Sequence, residues 1–170
     1  ILDPEKVQHR SAGVRDRRDY LWGRVPVSAK DKAKANKMLA RKPAHIFPPD
    51  DRRGIMLWDR NFTVLPDLDG LEHTSLGIGW QPLIRTEGIA ALPDLEELSL
   101  EESNIHYLTA EIGQLTKLRT LSLATTGVRV LPSELSSCKQ LEVLLLPDRL
   151  LDWDVEANLA VLGTLKNLKE

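Results

Sequence analysis

Between Leu92 and Leu151 the apolar positions recur on a fixed spacing. Leu95, Leu98, Leu100, Ile105, Leu108, Ile112 and Leu115 fall on Leu118, Leu121, Leu123, Val128, Leu131, Leu135 and Cys138, each 23 residues on, and Leu141, Leu144, Leu146 and Leu151 start a third unit at the same offset. A period of roughly 20–50 residues marks a repeat architecture. The step Leu98-x-Leu100 has period two, which sets both side chains on one face of a short strand. The other apolar positions bring the chain back along the opposite side. One such unit has an apolar face that it cannot bury alone. Stacked units bury it against one another and align their strands into a parallel sheet. Burying a leucine fully contributes roughly 1.5–3 kcal/mol, so several per unit can offset the cost of ordering the chain. The pattern predicts an α/β repeat solenoid with short parallel β-strands on a concave face, helical or irregular convex segments, and a helical cap at the N-terminus.

Fainter copies lie upstream. Leu71, Thr74 and Leu76 match Leu95, Leu98 and Leu100 at an offset of 24, and Ile55, Leu57, Asn61, Phe62 and Leu65 match Leu98, Leu100, Asn104, Ile105 and Leu108. About five repeats are therefore expected over 55–170. Asn61 and Asn104 fall on the asparagine position of the leucine-rich-repeat pattern that the chain resembles, which implies a place in the turn after the strand, where an amide satisfies buried backbone groups. That reading makes the sequon Asn61-Phe62-Thr63 structural rather than a glycan site. Thr125-Thr126-Gly127 and Gly79-Trp80 take the same place elsewhere and predict less regular turns. At the far end Leu162, Leu165 and Leu168 repeat Ile112, Leu115 and Leu118 at an offset of 50, four more than two periods. The surplus is placed around Trp153. The strand due after Leu168 is missing, so the chain is expected to be a piece of a longer repeat protein.

Residues 1–54 carry no repeat and form the second predicted region. "VSAKDKAKANKMLARKP" reads as one helix, capped by Ser28 and ended by Pro43. "HIFPPDD" reads as a linker or turn. The helical segment is expected to cover the open edge of the first repeat through Trp22, Val25, Val27, Met38 and Leu39, with 1–20 partly disordered.

The "LPSEL" turn, the L-x-x-L-x-L step and the period of 23 resemble intracellular-type leucine-rich repeats, such as those of plant immune receptors, bacterial type III effectors and Ras-suppressor-like proteins. The resemblance spans roughly 55–170. It implies a scaffold whose concave surface binds a protein partner or another domain of the same chain.

Charge sharpens the division. The net charge is −2 overall, but 1–54 hold 14 Lys and Arg against 7 acids, and 55–170 hold 9 against 18. A basic segment is joined to an acidic body. No apolar run approaches the roughly 20 residues that span a bilayer, no secretory h-region is visible, and the single cysteine, Cys138, favours a reducing, cytoplasmic or intracellular setting. Delivery into a host cell is the exception if the protein is an effector.

Catalytic patterns are lacking. His9, His45, His73 and His106 have no metal-ligand spacing, and no phosphate loop or nucleophile elbow occurs. No cofactor or metal is expected, and the chain does not read as an enzyme. Cys138 sits on the column of Leu92 and Leu115 and reads as core. Glu96-Glu97 and Glu101-Glu102 read as solvated face residues rather than acid–base pairs. The expected binding surface is the set that flanks the strand leucines: Met56 and Trp58; His73 and Ser75; Glu97, Ser99 and Glu101; Thr120 and Ser122; Val143 and Leu145. The leading expectation is a recognition module of a larger effector or immune-type protein. The alternative is a substrate-recruiting or regulatory domain of an enzyme such as a ubiquitin ligase. Nucleic acid, met through "VRDRRDYLWGR", is the least favoured partner.

Overall fold

The computed structural model describes residues 27–41, 45–47, 54–57, 62–79, 82–148 and 153–169. Among these, six short strands make one sheet in chain order: β1 (His45–Phe47), β2 (Gly54–Met56), β3 (Ser75–Gly77), β4 (Glu97–Ser99), β5 (Thr120–Ser122) and β6 (Val143–Leu145). β2 to β6 are parallel, and β1 lies antiparallel to β2. "HIF" is thus a strand, not the linker expected. Ile46 pairs with Ile55, and this gives the outer edge of β2 a hydrogen-bonding partner.

Every parallel strand is built the same way. Its middle residue (Ile55, Leu76, Leu98, Leu121 or Leu144) is buried, and these residues form one column across the sheet. A single carbonyl starts each pairing from β3 to β6. Thr74 accepts from the N–H groups of Glu96 and Glu97 at 2.7 and 3.0 Å, Glu96 from Arg119 and Thr120 at 2.8 and 3.0 Å, and Arg119 from Glu142 and Val143 at 2.8 and 3.0 Å. This register corrects one alignment. Leu76 pairs with Leu98, an offset of 22 rather than 24, and Ile78 rather than Leu76 occupies the position of Leu100. The faint match misled because Thr74 has no core-facing role: it is the residue whose carbonyl opens the ladder.

The turn after the strand is also satisfied differently. The buried hydroxyls of Ser103 and Thr126 donate to the carbonyls of Leu100 and Leu123, each at 2.7 Å. Asn104 is exposed. The inward position is one residue earlier than the asparagine, and a hydroxyl fills it. The Thr125-Thr126-Gly127 turn is consequently as regular as its neighbour: Glu102 and Thr125 share a left-handed backbone with φ of 52° and 55°. Asn61 and Trp80 lie outside the described residues.

The returning side consists of 3-10 turns at Ile89–Ala91, Ala110–Gln114 and Ser133–Ser137. The spacing of three between Ile112, Leu115 and Leu118 explains them, because in a 3-10 turn residues i and i+3 eclipse. The N–H of Leu115 bonds Ile112 O at 3.1 Å and that of Leu118 bonds Leu115 O at 3.0 Å. Leu135, Cys138 and Leu141 repeat this, as do Leu162, Leu165 and Leu168. The core is the space between these turns and the sheet.

Among the described residues two helices complete the fold, α1 (Ala29–Arg41) and α2 (Val155–Leu162). Ser28 caps α1: its Oγ accepts the Asp31 N–H at 3.1 Å and donates to the Asp31 carboxylate at 2.7 Å. Ala35 enters the core, with Val27, Met38 and Leu39 partly buried beside it. Lys32 reaches Pro66 O at 3.2 Å and Asp67 at 3.1 Å, and Asn36 Oδ1 accepts the Asp67 N–H at 2.7 Å. Trp22, Val25 and residues 1–20 lie outside the described residues. α2 accommodates the four surplus residues, replacing the short 3-10 turn of the other units. Asp154 caps it by accepting from Ala157 N–H at 3.0 Å. Asn158, wholly buried, accepts the Leu131 N–H at 2.7 Å and donates to Arg129 O at 2.8 Å.

Three substitutions test this packing. An added Cβ at Gly113 would stand 2.6 Å from the backbone carbonyl of Glu134 in the neighbouring unit, so Gly113→Ala is expected to lower stability by about 1–3 kcal/mol in urea unfolding. At Gly77 the obstacle is the flexible end of Met56, and Gly77→Ala should leave the midpoint nearly unchanged. Asn158→Ala strands the buried Leu131 N–H, while Arg129 O keeps the Asp154 N–H at 3.3 Å, and should cost about 1–3 kcal/mol.

Candidate interaction face

The face of the sheet opposite the core carries the residues either side of each buried strand centre. One row runs Gly54, Ser75, Glu97, Thr120, Val143, and the next Met56, Gly77, Ser99, Ser122, Leu145. Met56, Ser75, Glu97, Ser99, Thr120, Ser122, Val143 and Leu145 are thus brought together. Glu101 joins them from just past β4 and accepts a hydrogen bond from Ser122 Oγ at 2.6 Å. The corrected register moves His73 out of the row. It lies two residues before β3, level with the core residue Leu95, and Gly77 takes the place beside Ser75. Trp58 lies outside the described residues.

Two recesses mark this face. One, of about 290 Å³, lies at the leading edge of the strands among Thr74, Ser75, Glu96, Arg119, Glu142 and Val143. The other, of about 240 Å³, lies among Met56, Gly77, Ser99, Glu101, Ser122 and Leu145. Leu145 is 38% exposed. Around the first recess charges alternate from one unit to the next. Glu142 takes Arg119 at 2.8 Å and Lys169 at 2.7 Å, and Lys117 meets Asp94 at 2.5 Å. The hydrogen bonds from Lys169 and then Arg119 depress the Glu142 carboxyl to about 2.

A polar cluster away from this face was not legible in the sequence. Arg85, only 1% exposed, ion-pairs with Glu87 and lies 5.7 Å from the centre of the Tyr107 ring. Tyr107 donates to the same Glu87 oxygen at 2.6 Å. Burial first, then Glu87, raises the Tyr107 pKa, so the phenol stays protonated. Arg85 is held in a bridge of its segment with Val64, and nothing in "LIRTEG" marks its burial in advance. Arg85 is buried while Glu87 is part-exposed, so removing Glu87 would leave a buried guanidinium without its carboxylate, which is destabilising and gives this cluster a structural role.

Cys138 is buried, its thiol donates to Ile112 O at 3.3 Å, and burial pushes its pKa up to about 11. It is therefore a thiol with little nucleophilic character. Among the described residues no His, Cys, Asp and Glu side chains converge as a metal site, and no helix is long and apolar enough to cross a membrane.

Parallel strands one repeat apart, 3-10 returns and a leucine-lined interior define a leucine-rich-repeat-type solenoid. No family model and no curated protein matches the sequence. Among solved structures, the chain is similar to a leucine-rich repeat protein of Leptospira interrogans, at 27% identity and a TM-score of 0.50 over 59% of this chain. The match covers 25% of that protein, so the chain spans about a quarter of its length.

The Glu142 pairing gives a pH prediction. Because its folded pKa lies below the ordinary 4.5, the pairing is complete above that value and is lost as pH falls through about 2. A carboxyl-carbon NMR titration should show Glu142 with a midpoint near 2. Lys169→Ala should raise that midpoint more than Arg119→Ala.

Proposed function

We propose that the protein is a protein-recognition module that binds its partner on the concave side of the sheet, with α1 and β1 capping the first repeat. The observation that carries this reading is the recessed face over β2 to β6, where hydroxyls, carboxylates and the exposed Leu145 stand on a rigid ladder. A partner can desolvate apolar groups at such a site while hydroxyls and carboxylates fix its register. The likeness to a longer leucine-rich repeat protein supports a module within a larger protein, and we read it as the recognition domain of an effector or immune-type protein.

The test is site-specific photo-crosslinking to partner proteins from a cell lysate. A crosslinker at Ser99 should capture a partner, and one at the exposed Ser137 on the returning side should not. Ser99→Trp, which fills the recess, should reduce capture by the wild-type partner about tenfold or more without moving the unfolding midpoint. Capture through Ser137 that is insensitive to Ser99→Trp would place the binding surface on the convex side.

A further inference from the structure

Resting on that reading, we infer that the occupant of the recess over β4 and β5 is an extended segment presenting a lysine or arginine between apolar residues. The row Met56, Gly77, Ser99, Ser122, Leu145 crosses five adjacent strands. It reads large, small, small, small, large. The Met56 thioether folds over Gly77, where an added Cβ would overlap it. The floor is thereby reduced to the half-buried Ser99 and the buried Ser122, with Met56 as one wall and Leu145 as the other. Neighbouring strands are about 4.8 Å apart, so this floor is about two strands wide, with room for an aliphatic side-chain stem.

The rim selects the head group. Glu97 and Glu101 stand two residues before and two after Ser99 and line the same recess. Ser122 donates a hydroxyl hydrogen to Glu101 and so holds the carboxylate at the edge of the floor. The cations at the leading edge are committed elsewhere: Arg119 and Lys169 to Glu142, Lys117 to Asp94. An acidic occupant would be repelled. A wholly apolar one would strip water from carboxylates without replacing its hydrogen bonds. A lysine or arginine meets both demands, laying its stem along Met56 and Leu145 and its charge against Glu101. The hydroxyls of Ser99 and Thr120 are placed to bond the backbone of such a segment.

The experiment is fluorescence anisotropy with the full chain and a labelled Leu-Arg-Leu-Arg-Leu peptide, beside versions carrying Gln or Glu in place of Arg. The Arg peptide should bind and weaken as salt rises through the range where the Debye length falls below about 8 Å. The Gln peptide should bind about tenfold more weakly or worse, and the Glu peptide should not bind. Glu101→Gln should cost about tenfold for the Arg peptide and little for the Gln peptide, with an unchanged unfolding midpoint. Glu156→Gln, equal in charge change but on α2 outside the recess, should cost nothing. Equal binding of the Arg and Gln peptides, or no binding of any, overturns the inference. If Ser99→Trp still abolishes partner capture, the concave reading survives that outcome. If it does not, both fail. Self-association in sedimentation that Glu101→Gln removes would put a second copy of the chain in the recess, and would equally overturn the inference.

Discussion

Each turn of this chain leaves a row of leucines that only the next turn can cover. The column Ile55, Leu76, Leu98, Leu121, Leu144 is the clearest case, because none of these side chains has enough of its own repeat around it to be dry. The graded burial shows the dependence. Leu98 and Leu121, with strands on both sides, are 1% and 0% exposed, and Leu144 on the last strand is 6% exposed. Stability in such an array is a sum of units and the interfaces between them. A defect at one interface, such as a Cβ at Gly113, therefore acts on two repeats at once.

Stacking at this closeness constrains the polar atoms more than the apolar ones. Every strand end and every turn brings backbone groups into a space that water does not reach, and each needs a partner. The chain meets this with few devices. A carbonyl at the head of each strand accepts from two successive N–H groups of the next. A hydroxyl at Ser103 or Thr126 closes the turn. Where α2 displaces the regular 3-10 return, Asn158 supplies a donor and an acceptor to Arg129 and Leu131. The surplus of four residues is tolerable because one amide repairs the contacts that it interrupts.

The ladder also fixes what the outer face can do. Side chains that share a row are held at strand spacing, so their chemistry is read across repeats and not along the sequence. Glu96, Arg119, Glu142 and Lys169 are far apart in the chain but stand side by side, and alternation of sign consumes most of their charge locally. One and three residues further along, the outer-face rows of β4 to β6 are uncharged apart from Glu97, and Glu101 follows just past β4. The face therefore has a neutralised leading edge and an acidic, partly apolar interior.

The period of 23, the parallel sheet, the core columns and the place of Cys138 were set by the spacing of leucines alone, because a strict apolar repeat admits one way of burying itself. The Ser28 cap of α1 was equally local. The sheet partner of "HIF", the true register of β3, the hydroxyl in place of asparagine and the burial of Arg85 were decided only in three dimensions. Each depends on what lies across from a residue in the adjacent repeat. An offset of 22 and an offset of 24 place leucines equally well in a short, faint unit, and only pairing Ser75 with Glu97 and Leu76 with Leu98 separates them. His73 left the outer-face row for that reason, and Gly77 entered it.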